Sequence, residues 1–159
     1  MSDPCDLLQL FQLCRRRYAA ALHPVERTWG LTRNEIDVIL FLSNHPGLDT
    51  ARDIVALRSL SKSHVCKSVD RLTRRGFLAG AQDAQDRRYI HLRLLPAAAG
   101  AVRQAQQAQR SFFQALFQSV APEDRQVLNR VIGQFFQKMV IPFSQPGPRP
   151  ENRTVELIK

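Results

Sequence analysis

A chain of 159 residues, 44% of them apolar, is long enough to enclose one core of ordinary size without covalent staples. Its three cysteines, odd in number and at no metal-ligand spacing, fit reduced thiols better than a disulfide framework. A net charge of +9 points to a polyanion, and the acidic residues 1–6 with no long apolar run exclude a signal peptide or spanning helix, so a cytoplasmic location is expected.

Residues 6–22 read as a helix whose stripe holds Leu7, Leu10, Phe11, Cys14, Tyr18 and Ala21, widened by Leu8 and Leu13 beyond the needs of one surface helix. Arg15, Arg16 and Arg17 form a solvated flank, and Cys14 a small core position. His23 and Pro24 are expected to break this helix, leaving Trp29 and Gly30 in the connection. Thr32 and Glu35 then make a capping box, with Leu31 and Ile36 as a hydrophobic staple, for a second helix through Val38, Ile39, Leu40 and Leu42. His45, Pro46 and Gly47 stop it. Thr50 caps a short third helix over 51–58, and Ser59 and Leu60 turn the chain into a fourth.

The fourth helix has the clearest boundaries. Ser61 is its N-cap, Leu60 and Val65 its staple, and Gly76 suits the left-handed position past its end, with Phe77 placed against Leu72. At about 100° per residue, Val65, Val69 and Leu72 share one face and Ser63, Lys67, Asp70, Arg71 and Arg74 the other. Residues 77–81 read as a strand. In a second strand Ile90, Leu92 and Leu94 alternate with Tyr89, His91 and Arg93, and the charged tip 82–88 lies between the two. A helix followed directly by such a hairpin is the plan of a winged helix, in which the helix enters a major groove and the tip reaches a neighbouring minor groove. The charge lies where this plan needs it: residues 52–93 carry ten Lys or Arg against four Asp, a net +6 of the whole chain's +9.

Pro96 reads as the first residue of a long helix carrying Ala101, Val102, Ala105, Ala108, Phe112, Phe113, Leu116 and Phe117. Pro122 opens another, with Val127, Leu128, Val131, Ile132, Phe135, Phe136 and Met139. Both stripes, with the first helix, are assigned to a dimer interface. Pro142, Pro146, Gly147, Pro148 and Pro150 make 142–159 an extended tail, whose apolar stretch 155–158 is suited to docking. The expected fold is mainly α with a small β-hairpin, one domain over 1–159. Within it, a winged helix-turn-helix DNA-binding part at 31–95 is flanked by helical dimerisation parts at 5–23 and 96–141.

The runs Thr50-Ala51-Arg52-Asp53-Ile54-Val55, Leu60-Ser61-Lys62-Ser63-His64-Val65, Val69-Asp70-Arg71-Leu72, Arg75-Gly76-Phe77-Leu78 and Asp83-Ala84-Gln85-Asp86-Arg87-Arg88 resemble, in order and spacing, the MarR family of bacterial transcription regulators. Asp83, Asp86 and Arg88 fit that family's wing pattern. Two positions depart from it: Ala79-Gly80 stands where a basic residue is common, and Leu95 where a threonine usually caps the next helix. The resemblance implies a homodimeric repressor that binds an inverted-repeat operator in double-stranded DNA and is released by an effector. The DNA-binding candidates are Thr50, Ser61, Lys62, Ser63, His64, Lys67, Arg71, Arg74, Asp86, Arg87 and Arg88, with Asp86 holding Arg88. The resemblance further implies a small aromatic or phenolic anion between the dimer helices and the reading part. Tyr18, His23, Trp29 and Phe41 are candidates to line that site, though each is more simply a core or linker residue.

Two rival readings stand beside this one. A winged helix could instead dock an acidic protein, but Ser63 and His64 among the cations supply groups able to read base edges, which an electrostatic dock does not need. A thiol-based redox repressor could use Cys66 beside Lys62 and Lys67, against the plainer reading of Cys66 as a small residue tucked at the helix flank. An enzyme is not expected. Asp83 and Asp86 sit on a hairpin tip without a pocket, His23, His45, His64 and His91 are scattered, and neither cofactor nor metal nor membrane is called for.

Overall fold

The computed structural model describes residues 4–58 and 60–140, in two compact units that divide between Ser119 and Val120. The tail expected over 142–159 with its apolar stretch 155–158, the turn residue Ser59, and the side chains of Phe136 and Met139 lie outside the described residues. The first unit holds α1 (Pro4–Trp29), α2 (Arg33–Asn44), α3 (Ala51–Arg58), α4 (Lys62–Arg74), β1 (Leu78–Gln82), β2 (Ile90–Leu94) and α5 (Ala99–Phe117). In the second unit the described element is α6 (Pro122–Val140), which exposes Val127, Leu128, Ile132 and Phe135. None of the described helices is long and apolar enough to cross a membrane.

The break expected at His23 and Pro24 does not occur, because α1 runs through Pro24 to Trp29. Proline removes one backbone bond and crowds the preceding turn, but Leu22 and Val25 on either side of it are fully buried. Each such burial is worth about 1.5–3 kcal/mol, enough to hold the helix together. Trp29 therefore belongs to the helix and not to the connection. Gly30, at φ 57°, takes the left-handed position beyond it, and Leu31 N–H returns to Glu26 O at 3.1 Å. The Arg75 guanidinium then closes this helix end from a distance, donating to Trp29 O at 2.6 Å and Gly30 O at 3.0 Å.

The remaining helix starts follow the capping chemistry. Thr32 Oγ1 accepts from Glu35 N, and Glu35 Oε2 accepts from Thr32 N at 2.6 Å. At the start of α3, Thr50 and Asp53 exchange the same pair of bonds, at 3.1 and 3.2 Å. The end of α4 is a complete Schellman motif: Phe77 N–H reaches Leu72 O at 2.9 Å and Gly76 N–H reaches Thr73 O at 3.0 Å, with Gly76 at φ 70°. Pro96 opens a short 3-10 turn, Pro96–Ala98, ahead of α5 and not α5 itself. Leu95 has no side-chain acceptor to cap a helix there, and its N–H is drawn instead to Phe77 O at 2.9 Å.

One contiguous core joins these parts, with Leu22 and Val25 from α1, Ile36, Ile39 and Phe41 from α2, Leu72 from α4, and Ala101 and Ala105 from α5. At one edge of it the Trp29 indole lies against the start of α5, its Nε1–H donating to Gln104 Oε1 at 2.7 Å. A Cβ at Gly100 would meet that ring 2.6 Å from Cζ2. Gly100→Ala should therefore lower the urea midpoint, since overpacking costs about 1–3 kcal/mol and offsets the roughly 1 kcal/mol that alanine gains in a helix. A raised midpoint would show that the indole yields.

Candidate nucleic-acid interface

The reading helix α4 presents two unlike faces. Val65 and Leu72 are fully buried, Val69 is half-buried, and Ser68, a position the sequence pattern does not flag, is buried with them. On the other side Lys62, Ser63, His64 and Lys67 are exposed along the first half of the helix. Ser61 Oγ accepts from His64 N at 3.3 Å, so this hydroxyl is engaged in capping. The second half is differently placed. Arg71 Nε lies 3.1 Å from Oε1 of Glu35, a carboxylate only 1% exposed, while Arg74 pairs with Asp70 one turn back. Arg71 thus locks the reading helix to the capping box of α2, and Glu35 serves two helices at once.

The wing is an antiparallel pair in the register Leu78↔Leu94, Gly80↔Leu92, Gln82↔Ile90. Its tip is folded by carboxylates. Asp83 Oδ1 accepts from Gln85 N at 2.7 Å and Asp86 N at 2.8 Å. Asp86 in turn takes Arg88 in a fork, with Nε at 3.1 Å and Nη2 at 3.0 Å, while Arg88 remains almost wholly exposed. Arg88 beside it holds the Asp86 carboxyl below the ordinary carboxylate range. Arg87 is exposed next to this pair. The arrangement offers a cationic, pre-oriented tip beyond a helix with free polar and basic side chains, the pairing that a duplex backbone and groove require.

Three contacts between wing and helices escape the sequence pattern. His91 on β2 lies between two carboxylates, Nδ1 at 2.7 Å from Asp49 Oδ1 and Nε2 at 3.0 Å from Asp83 Oδ2. Leu92 N–H donates to Asp49 O at 2.7 Å, and Arg52 Nη1 reaches Tyr89 OH at 3.3 Å. Sequence spacing gives no signal for any of them, because the partners lie on different elements.

Residues 29–88, from the last residue of α1 through the wing tip, match the model of the MarR family. That stretch, which holds α2 to α4 and the wing, is similar to the MarR family. Among solved structures, the chain is similar to a MarR-family transcriptional regulator from Silicibacter pomeroyi, at 20% identity and a TM-score of 0.72, over 82% of this chain and 87% of that one. It is also similar to BpsR of Bordetella bronchiseptica, whose DNA binding is regulated by 6-hydroxynicotinic acid, at 21% identity and a TM-score of 0.64, over 82% and 98% of the two chains. A third is an organohalide-sensing transcriptional regulator bound to 2,4-dichlorophenol, at 13% identity and a TM-score of 0.64, over 89% and 81%. At these identities the likeness is one of fold. No curated protein matches the chain.

The four residues expected to line an effector site lie in different settings. Phe41 is wholly buried and stacks on His45, 4.7 Å between ring centres. Trp29 packs edge-on to Phe77, and His23 is exposed on α1. Tyr18 alone sits in a mixed setting: the Arg33 guanidinium lies 4.7 Å from its ring centre, Phe112 packs 5.3 Å away, and its hydroxyl accepts from Gln109 Nε2 at 3.0 Å. Burial pushes the Tyr18 hydroxyl above its ordinary value, with Arg33 pulling the other way. Arg33 Nη1 is buried there with no acceptor among the described residues. Cys66 departs from the tucked position expected of it, since its thiol is exposed beside a cleft of about 300 Å³ lined by Ala51, Arg52, Val55, Lys62 and Val65. A step of one residue from Val65, about 100° around the helix, carries Cys66 off the buried face and onto the flank that meets α3.

Proposed function

We propose that this protein is a regulator of the MarR type: homodimeric, sequence-specific in binding DNA, and a repressor whose hold on an inverted-repeat operator is weakened by a small aromatic anion. The observation that carries the reading is the joint presentation of Lys62, Ser63, His64 and Lys67 on the exposed first half of α4 with Arg87 and the Asp86-held Arg88 on the wing tip. Groups at the start of a recognition helix reach base edges, and a tip arginine suits a narrow minor groove. The exposed Leu7, Leu8, Leu10, Phe11 and Leu13 of α1 support dimerisation through the helical ends, for five large apolar groups on one helix are otherwise left in water.

Effector control is supported by the setting of Tyr18. An aromatic anion placed there would meet an aromatic wall from Phe112 and a cation from Arg33, whose Nη1 has no acceptor among the described residues. Two regulators of similar fold are bound or regulated by ring compounds bearing an ionisable hydroxyl or acid. The test is a retardation assay on the DNA upstream of the protein's own gene at moderate salt. Retention against excess competitor DNA is the expected result, and loss of the complex to competitor at low ratios would favour docking to an acidic protein instead.

A further inference from the structure

Among the contacts that join the wing to the body of the molecule, one imidazole faces a carboxylate on each side. His91 Nδ1 faces Asp49 in the loop before α3, and His91 Nε2 faces Asp83 in the wing tip, at 2.7 and 3.0 Å. A neutral imidazole carries a single N–H, so one of these carboxylates would then face a lone pair. Only the imidazolium donates to both. The two carboxylates are themselves anchored on opposite sides of the gap. Asp49 O accepts from Leu92 N and its neighbour Thr50 makes a β-bridge with His91, while Asp83 gathers the backbone N–H groups of Gln85 and Asp86.

From there the contacts continue to the tip. Asp83 fixes Asp86 by its N–H, and Asp86 holds Arg88 in a fork. An unbroken chain of charge-assisted hydrogen bonds thus runs Asp49, His91, Asp83, Asp86, Arg88. We propose that His91 is a positioning residue for DNA binding, a protonated rivet that holds the wing tip against the helix-turn-helix, so that the grip of Arg88 follows the protonation of this one imidazole. The inference rests on the proposed contact between wing and DNA for its effect on affinity, but not for the rivet itself.

The charged groups around His91 support this direction. Asp49 and Asp83 face it directly, and Arg52 of α3 is turned towards Tyr89, just before β2. Asp53 is occupied with Thr50, Arg93 is exposed two residues along β2, and Asp86 adds a further negative charge near Asp83. Hydrogen bonding to Asp49, then to Asp83, raises the His91 pKa above its ordinary value of 6.5. Asp83 is held down to about 2, first by the Asp86 N–H and next by His91. A raised imidazole contributes its full constraint below its unfolded pKa and loses it as pH rises through the folded value, whereas Asp83 loses its share only as pH falls towards about 2. The wing is therefore clamped on the acid side of the raised His91 value and loosens as pH rises through it.

The experiment follows the His91 ring protons and wing amide exchange by NMR without DNA, alongside duplex affinity from about pH 6 to about pH 9, spanning the rise above the ordinary histidine value. The native protein should show His91 titrating above the ordinary value, faster exchange at residues 83–89 once it does, and affinity weaker by about tenfold, the effect of one lost contact of about 1.4 kcal/mol. His91→Asn should bind at the weak level at every pH. His91→Arg, permanently charged and able to fork between two carboxylates, should restore tight binding without the pH profile. A His91 that titrates at or below the ordinary value, or wing exchange indifferent to its titration, overturns the rivet, as does a His91→Asn variant that keeps the native affinity profile. Should no duplex bind at any pH, the DNA-binding role of the wing fails, and the rivet is decided by the ring and exchange data alone.

Discussion

Phe11→Asp is expected to leave the protein monomeric at micromolar concentration and to weaken binding to its operator by roughly a thousandfold, the low end of the gap between specific and non-specific binding. The side chain is 60% exposed in the single chain, and Leu7, Leu8, Leu10 and Leu13 around it are 44–63% exposed. Such a face has no reason to persist on a monomer, and a two-fold partner would cover each of these groups twice. A carboxylate at its centre would be buried unpaired, at a cost of several kcal/mol. The loss of DNA affinity follows from the proposed dimer, in which two reading helices about 34–36 Å apart would engage successive turns of one duplex face only while the partner held them there. Sedimentation of the variant with and without an inverted-repeat duplex checks both effects. A variant that stays dimeric would place the interface elsewhere.

The second large effect separates α4 from the wing. Lys67→Ala should cost about 1–3 kcal/mol on the best site and relax preference at one or two base pairs, because each base pair shows a distinct pattern of donors and acceptors in the major groove. Lys67 is exposed on the half of α4 that meets base edges, whereas Arg71 and Arg74 are each tied to a carboxylate of the protein. Arg88→Ala should instead weaken binding to specific and scrambled duplexes alike and reduce the salt slope by about 0.9, as one phosphate-equivalent contact disappears. Asp86→Ala should partly copy Arg88→Ala although it removes a negative charge, since the fork at 3.0 and 3.1 Å is what aims the guanidinium. Affinity measured against salt for the three variants on both duplexes decides the matter. Tighter binding by Asp86→Ala, with equal losses on both duplexes for Lys67→Ala, would falsify this division of labour.

What the sequence determined by itself was whatever is written within one turn of chain. The reciprocal cap of Thr32 and Glu35, the Ser61 cap, the Gly76 and Phe77 stop and the fork of Asp86 with Arg88 all join residues at most five apart, and each formed as its residue types require. The winged-helix order follows from those boundaries and from the two apolar periods. Tertiary structure decided what depends on distant partners. Pro24 stays inside α1 because Leu22 and Val25 are buried by elements whose proximity no local rule encodes. Arg71 reads as an outward cation from its helix face alone, and only the packing of α4 on α2 brings the buried Glu35 to it. Arg75 closes a helix 45 and 46 residues away, and His91 meets Asp49 across 42 residues. Hydrogen bonds and ion pairs act over about 3 Å in space, and a one-dimensional pattern records that distance only where the helix or turn period has already fixed it.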